Sequence, residues 1–181
     1  MFRGILLCFG VAVAILGSET LNAQDVPKAE LFGGYSLLRL DTDALGLTSY
    51  STFNGWAAAI DLNLKPWLGA VGDFSGHYGT GNDLTVRSYR YLFGPQIAIR
   101  KQRVTVFLHG LAGETRNNIG GAIDSGLGIA GGGGLDYNFR RRVSIRVVQG
   151  DFVRSSTFGT VQHDGRLSAG LVLKFGGTSA P

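Results

Sequence analysis

Apolar residues occupy every second position over long stretches of this chain after residue 28. In residues 166–175 the odd positions are all apolar, and the even positions carry two charges, a hydroxyl, a glycine and one valine. Successive side chains of a β-strand point to opposite faces, whereas a helix repeats every 3.6 residues. The alternation therefore predicts strands that each have one apolar face.

Eight such stretches can be delimited between residues 28 and 175. The predicted strands span residues 28–40, 52–64, 67–78, 85–100, 103–115, 123–139, 142–153 and 162–175. Short basic turns alternate with longer polar connections, which span residues 41–51, 79–84, 114–122 and 154–161. Short turns at one end and long loops at the other are typical of outer-membrane barrels, in which both chain ends lie on the periplasmic side. The sequence therefore predicts an all-β fold, an eight-stranded antiparallel up-and-down transmembrane β-barrel.

The first 23 residues have the pattern of a cleaved secretory signal peptide. Arg3 supplies the positive start, residues 5–16 form the apolar core, and Ala23 precedes the expected cut. The apolar run is shorter than the ~20 residues that a membrane-spanning helix requires. We therefore expect residues 24–181 to form the exported barrel domain. The only cysteine, Cys8, would leave with the signal, so neither disulfides nor cysteine metal sites are expected.

The charge of the chain argues against a nucleic-acid partner. The formal net charge is +4, and loss of Arg3 and Glu19 with the signal leaves it unchanged. The basic residues are dispersed over turns and strands and do not form a binding stripe. Residues 24–181 also lack a long apolar run, whereas a membrane barrel spreads its hydrophobicity over alternate positions.

Two barrel types would produce the same alternation. A soluble lipocalin-like barrel would turn its apolar face inward, and a membrane barrel would turn it toward lipid. The less apolar face carries small residues, as at Ala57, Ala59 and residues 126–134, which suit a crowded eight-stranded interior and would make a poor solvated coat. We therefore favour the membrane barrel. Aromatic residues near the strand ends predict two interfacial belts, formed by Trp56, Tyr78 and Tyr89, and by Tyr137, Phe139 and Phe175.

Several segments resemble a known family of proteins. Residues 29–36, 90–95, 132–137, 142–152 and 166–175 are similar to the small outer-membrane β-barrels typified by outer membrane proteins A and X. The resemblance covers nearly all of residues 24–181. It implies insertion into outer-membrane lipid by the barrel assembly machinery. In that family the last strand ends in an aromatic residue that this machinery recognises. Phe175 fits that assembly signal, although residues 176–181 follow it.

The predicted lumen face carries four acids and four bases. They are Glu30, Asp61, Asp73 and Asp136, and Arg90, Arg146, Arg166 and Lys174. Charges removed from water require partners, so we interpret these residues as an ion-paired network that seals the lumen. The alternative is a narrow, gated path for ions or small solutes lined by the same groups.

One strand carries the residue types of a serine-hydrolase triad, Asp73, Ser75 and His77. Residues two apart on a strand are separated by ~6.6–6.8 Å. Asp73 would lie on the far side of Ser75 from His77, where it could not orient the imidazole. We therefore predict no catalytic residues, with a lipid-A-modifying enzyme as a less favoured alternative.

No metal site or cofactor is predicted. His109 shares a face with apolar residues and is interpreted as an interior group, and His163 has no further ligand at a metal-binding spacing. Residues 126–131 match the G-x-G-x-x-G pattern of dinucleotide sites, but more glycines and a strand follow where that motif needs a helix.

The loops are the remaining candidates for function. Residues 41–51 and 114–122 mix small polar residues with a few apolar ones, as loops that bind an external partner often do, although solvated connectors would look the same. Our leading hypothesis is an integral outer-membrane protein with a role in envelope integrity or surface interaction. The alternatives are a narrow pore, a soluble carrier and a lipid-A-modifying enzyme.

Overall fold

A computed structural model describes residues 26–40, 51–81, 84–157 and 160–176. The expected signal peptide and residues 41–50 of the predicted loop at 41–51 lie outside the described residues. Eight strands follow one another: β1 (Ala29–Leu40), β2 (Ser51–Lys65), β3 (Leu68–Gly81), β4 (Leu84–Arg100), β5 (Val104–Ile119), β6 (Ala122–Arg140), β7 (Val143–Thr157) and β8 (Thr160–Phe175). Each strand pairs antiparallel with its neighbours in sequence, and β1 pairs with β8 to close the barrel. The predicted all-β, eight-stranded closed barrel is confirmed. None of the described residues forms a helix with the length and apolarity of a membrane span.

The alternation along each strand sorts the side chains between an apolar exterior and a polar interior. In β8, Leu171 is 56% exposed, whereas Ser168 is 4% and Arg166 1% exposed. The described part of the barrel exposes 27 large apolar or aromatic side chains, and its buried set contains nine charged residues of the strands. The predicted apolar face is therefore the outer face, which is the inverse of a soluble barrel.

The hairpins at the loop end are longer than the sequence predicted. The predicted loop at 114–122 is wrong, because β5 continues to Ile119 and β6 begins at Ala122 after a two-residue turn. Gly120 and Gly121 have φ angles of 58° and 97°, which suit the type I′ turn that joins twisted strands. The predicted connections at 79–84 and 154–161 are likewise strand over most of their length. A strand with polar residues on both faces shows no apolar–polar alternation. Its backbone hydrogen bonds can still form, but the sequence pattern does not indicate them.

Side chains fill the middle of the lumen. An apolar cluster includes Phe32, Leu92, Leu111 and Val153, all of which are buried. The ring of Phe107 is also buried, and a glycine of β6 leaves room for it: a Cβ at Gly134 would lie 2.7 Å from Phe107 Cζ. The lumen is therefore packed around its charged groups, as expected for eight strands.

Candidate functional site

The polar interior of the barrel is the candidate functional site. Its first cluster surrounds Arg146 of β7. Its Nε donates to Asp136 Oδ1 at 2.8 Å, its Nη2 donates to Asp136 Oδ2 at 3.2 Å, and its Nη1 donates to Gln149 Oε1 at 2.8 Å. The guanidinium carbon lies 4.4 Å from the ring centroid of Phe32 and 4.2 Å from that of Phe107. The guanidinium thus contacts one carboxylate, one amide and two aromatic rings inside the lumen.

A second cluster surrounds Arg166 of β8. Its Nη1 and Nη2 donate to the two carboxylate oxygens of Asp73 at 2.6 and 2.9 Å, and its Nε and Nη2 donate to Asp151 Oδ2 at 2.9 and 2.7 Å. Gln149 Nε2 also donates to Asp151 Oδ2 at 3.0 Å, and His109 Nε2 lies 2.7 Å from Asp151 Oδ1. These contacts join side chains from β3, β5, β7 and β8 across the lumen.

Each end of the lumen has its own charged contact. Toward the loop end, Arg90 Nη2 lies 2.6 Å from Asp164 Oδ2, and both side chains are fully buried. Toward the turn end, Glu30 Oε1 accepts from Arg100 Nη2 at 3.1 Å and from Asn63 Nδ2 at 2.9 Å. The charged groups thus form successive layers along the barrel.

The eight lumen residues predicted from sequence all point inward, but only some of them meet each other. Asp136 contacts Arg146, and Asp73 contacts Arg166. Arg146 Nη2 approaches Asp61 Oδ2 to 3.7 Å only.

The remaining predicted residues have partners that sequence reasoning missed. Glu30 binds Arg100, Arg90 binds Asp164, and Lys174 Nζ donates to Asn138 Oδ1 at 2.7 Å. Asp164 shares the parity of Arg166 on the same strand, so alternation alone could have identified it.

Asp151 was hidden by a β-bulge in β7. The register between β7 and β8 shifts between Arg146 and Gln149, and Val147 and Val148 are both exposed, at 53% and 46%. Strict alternation from Arg146 places Asp151 toward lipid, whereas the extra residue returns it to the lumen. No feature of the sequence marks this bulge.

The three residue types of the hydrolase triad are not assembled. Ser75 Oγ accepts from Arg166 Nη1 at 3.1 Å, while His77 Nε2 lies 2.9 Å from Ser36 Oγ. Ser168 Oγ also donates to Ser36 Oγ at 2.9 Å.

The residues considered as a dinucleotide site and as a metal ligand lie apart from one another. The glycine-rich segment 126–131 lies within β6. His163 is exposed and stacks on Phe152 with ring centroids 5.7 Å apart. In the described part of the chain, no three His, Cys, Asp or Glu side chains are grouped as a metal site would require.

Aromatic side chains gather near both ends of the outer face. Trp56 Nε1 donates to the hydroxyl of Tyr78 at 3.4 Å, and the rings of Tyr78 and Tyr89 meet edge to face at 5.9 Å. At the turn end, Phe139 and Phe175 are exposed. Phe175, the predicted assembly signal, is the last residue of β8.

Solved structures share this architecture. Neisserial surface protein A superposes with a TM-score of 0.66 at 14% identity, covering 82% of this chain and 97% of that one. Ail of Yersinia pestis gives 0.51 at 18% identity, and its complex with the heparin analogue sucrose octasulfate gives 0.57 at 16%. Both Ail comparisons cover 82% of this chain and 99% of Ail. Neither a protein-family profile nor a curated protein sequence matches the chain. The fold is that of the small eight-stranded outer-membrane β-barrels.

Proposed function

We propose that this protein is an integral barrel of the bacterial outer membrane, with a lumen closed by ion pairs and a structural or surface-interaction role in the envelope. The observation that carries the proposal is the inverted distribution of its side chains. Soluble monomers rarely expose apolar patches beyond roughly 300–600 Å². Here 27 large apolar or aromatic side chains are exposed on the described surface, while nine charged residues of the strands are buried. Lipid is the solvent that suits such a surface.

The turn end would then face the periplasm and the loop end the exterior. A cleaved signal at residues 1–23 would direct export, and the barrel assembly machinery would recognise Phe175. These steps follow from the membrane assignment and from the resemblance to outer-membrane barrels.

The closed lumen supports a structural role over a pore. Arg146 contacts the rings of Phe32 and Phe107, and Arg166 is bound by both Asp73 and Asp151. An ion crossing this barrel would have to displace paired charges from a packed interior, where each unpaired charge is costly.

Conductance in a planar lipid bilayer tests the closed lumen. We expect no single-channel steps from the folded wild-type barrel. A Phe107→Ala, Arg146→Ser, Arg166→Ser triple variant removes one ring and two guanidinium groups that bridge strands in the lumen, and should give measurable steps, which would show that the assay can detect an open lumen. Arg103→Ser, an exposed change at a turn, is the matched control and should stay silent. Steady conductance from the wild type would contradict the closed lumen and support the narrow pore.

A second candidate function is suggested by the loop end, where Arg87, Arg116 and Arg154 are exposed. Arg87 and Arg116 line a surface cavity of about 220 Å³ with Tyr89, Tyr91, Asn118 and Ile123. Guanidinium groups beside aromatic rings suit a sulfated or phosphorylated sugar. The Ail structure in complex with sucrose octasulfate shows that one barrel of this fold holds such a ligand.

Binding of fluorescent heparin to cells that display the barrel tests this candidate. An Arg87→Gln, Arg116→Gln variant should lose most of the binding, whereas Arg140→Gln, Arg141→Gln at the opposite end should retain it. Equal binding by both variants would exclude this cavity as the glycan site.

A further inference from the structure

The two ends of the barrel differ in charge. The turn end carries a set of cationic side chains that we call the basic rim: Lys28, Lys65, Lys101, Arg103, Arg140, Arg141 and Arg142. Six of these residues are exposed and Lys101 is half-buried. At the loop end, by contrast, the exposed Arg87 and Arg116 share the surface with Glu114.

No carboxylate of the described residues neutralises the basic rim. The acids nearest in sequence, Glu30, Asp61 and Asp136, are buried in the lumen. Glu30 is bound to Arg100, and Asp136 to Arg146. Within the part of the chain that the structure describes, the rim therefore presents its charges to a partner outside the protein.

The rim begins where the lipid-facing surface ends. Lys65 follows the exposed Leu64, and its Nζ lies 5.7 Å from the ring centroid of Trp67. Arg140 follows the exposed Phe139, and its guanidinium carbon lies 5.7 Å from that ring. Cations beside interfacial aromatic rings lie at the level of the lipid headgroups.

We propose that the basic rim binds the headgroups of anionic phospholipids in the leaflet that meets the turn end. This inference rests on the proposed membrane insertion. Phosphate oxygens accept from lysine and arginine, and clusters of such residues beside a membrane segment attract anionic lipid. Since the cations start within one residue of apolar, lipid-facing side chains, a bilayer surface suits them better than a polymer held further from the membrane.

The two tryptophans of the chain can report on the two ends separately. Trp67 lies at the basic rim under Lys65, and Trp56 lies in the aromatic belt toward the loop end. Trp56→Phe leaves Trp67 as the only reporter, and Trp67→Phe leaves Trp56. Each protein is reconstituted in mixed phosphatidylglycerol and phosphatidylcholine vesicles, in which one lipid or the other is brominated. Bromine quenches tryptophan on contact, so the quenching yields the relative affinity of the adjacent sites for the two lipids.

We expect Trp67 to report at least a threefold preference for phosphatidylglycerol, on the order expected for one or two basic residues near a membrane surface. Trp56 should report little preference. The Lys65→Gln, Lys101→Gln, Arg103→Gln variant should bring the Trp67 preference close to one. The control variant Arg140→Gln, Arg141→Gln, Arg142→Gln removes the same number of charges at the β6–β7 turn, across the barrel from Trp67. It should leave the lipid preference reported by Trp67 near the wild-type value, because screening limits the influence of each charge to about 10 Å at 0.1 M salt.

A heat-dependent gel shift of each variant tests membrane insertion separately from lipid binding by the basic rim. If no variant shows the shift in lipid, membrane insertion itself is wrong. A shifted, folded barrel with equal quenching by both lipids would overturn the lipid assignment alone. Rim-dependent sedimentation with purified peptidoglycan, in the absence of lipid preference, would assign the rim to a different polyanion. A preference that survives the Lys65, Lys101 and Arg103 substitutions would overturn the role of the rim.

Discussion

The chemistry of the lumen depends on the shape of the guanidinium group. Arg146 donates to Asp136 and Gln149, and its guanidinium carbon lies over the rings of Phe32 and Phe107. A lysine ammonium carries the same charge but has neither the flat faces nor the forked donors that this position uses. Arginine is therefore needed for its geometry as well as its charge.

Removal of Arg166 should strongly destabilise the barrel. Arg166→Ala leaves Asp73 and Asp151 buried without their shared cation, a loss of about 3–5 kcal/mol in the free energy of unfolding. Urea unfolding in lipid vesicles, followed by tryptophan fluorescence, measures it. Arg154→Ala is the matched control, since Arg154 is exposed, and should change stability by less than about 0.5 kcal/mol. Similar values for the two variants would show that the Arg166 contacts do not form.

The acids around Arg146 should differ in their contributions. Asp136 receives two hydrogen bonds from Arg146, whereas neither carboxylate oxygen of Asp61 has a hydrogen-bond partner among the described residues. Asp61 also pairs in register with Glu30, a like charge. Asp61→Asn should therefore be neutral or stabilising in the same unfolding assay, while Asp136→Asn should cost about 1–3 kcal/mol. A larger loss from Asp61→Asn than from Asp136→Asn would reverse this assignment.

At the scale of the elements, β6 shows how one strand makes room for the others. Its glycines do not mark a ligand loop, because they lie within a continuous strand. A Cβ added at Gly132 would overlap Asp151, and one at Gly134 would meet Phe107. The bulky and charged side chains of β5 and β7 thus occupy the volume that β6 leaves free.

Alanine at two adjacent glycines tests this packing. Gly132→Ala should cost about 1–3 kcal/mol, because its methyl group overlaps Asp151 in a filled lumen. In Gly131→Ala the added methyl group points outward, where nothing lies within 4 Å, so the free energy of unfolding should stay the same or rise slightly. Both are measured by unfolding in vesicles. Equal losses would indicate a loss of strand flexibility rather than a steric clash.

The two faces of β8 should tolerate change differently. Leu171→Arg places a cation in lipid and should cost about 2–4 kcal/mol near the bilayer midplane. Ser168→Ala removes one buried hydrogen bond to Ser36 and should cost about 0.5–1.5 kcal/mol. Refolding yields and unfolding midpoints in vesicles compare the variants. Tolerance of arginine at position 171 would place that face away from lipid.

The whole molecule is stabilised by closure. Because β1 pairs with β8, no strand edge is left open to lipid, where an unpaired backbone group is costly. The ion pairs add contacts between strands that are not neighbours: Arg166 on β8 reaches Asp73 on β3. Both features resist partial opening of the wall.

This closure predicts a heat-dependent gel shift. The barrel from the outer-membrane fraction should migrate differently in SDS before and after boiling, because a closed barrel stays folded in the detergent until heated. Arg166→Ala should shift at a lower temperature than the wild type. Recovery of the protein in the soluble periplasm with no shift would contradict the lipid-facing exterior.

Several features of the site could be read from the sequence and several could not. The inward position of Arg90, Arg146 and Arg166 follows from parity, because the alternation of a strand is local. Their partners are not local: Arg90 and Asp164 are 74 residues apart, and Arg166 and Asp73 are 93 apart. Which charges meet depends on the stagger of strands across the lumen, which alternation does not encode.

The sequence by itself determined the eight strands, because a period of two specifies an extended conformation with one apolar face. It also determined the apolar exterior, because the small residues of the opposite face suit a crowded barrel interior and not a solvated coat. Only the tertiary structure decided the length of the hairpins, the bulge in β7 that turns Asp151 inward, and the pairing of the charges. These features arise from backbone pairing and cross-barrel contacts between distant residues. Hydrophobic periodicity records which side of the wall a residue occupies, but not which residue it faces.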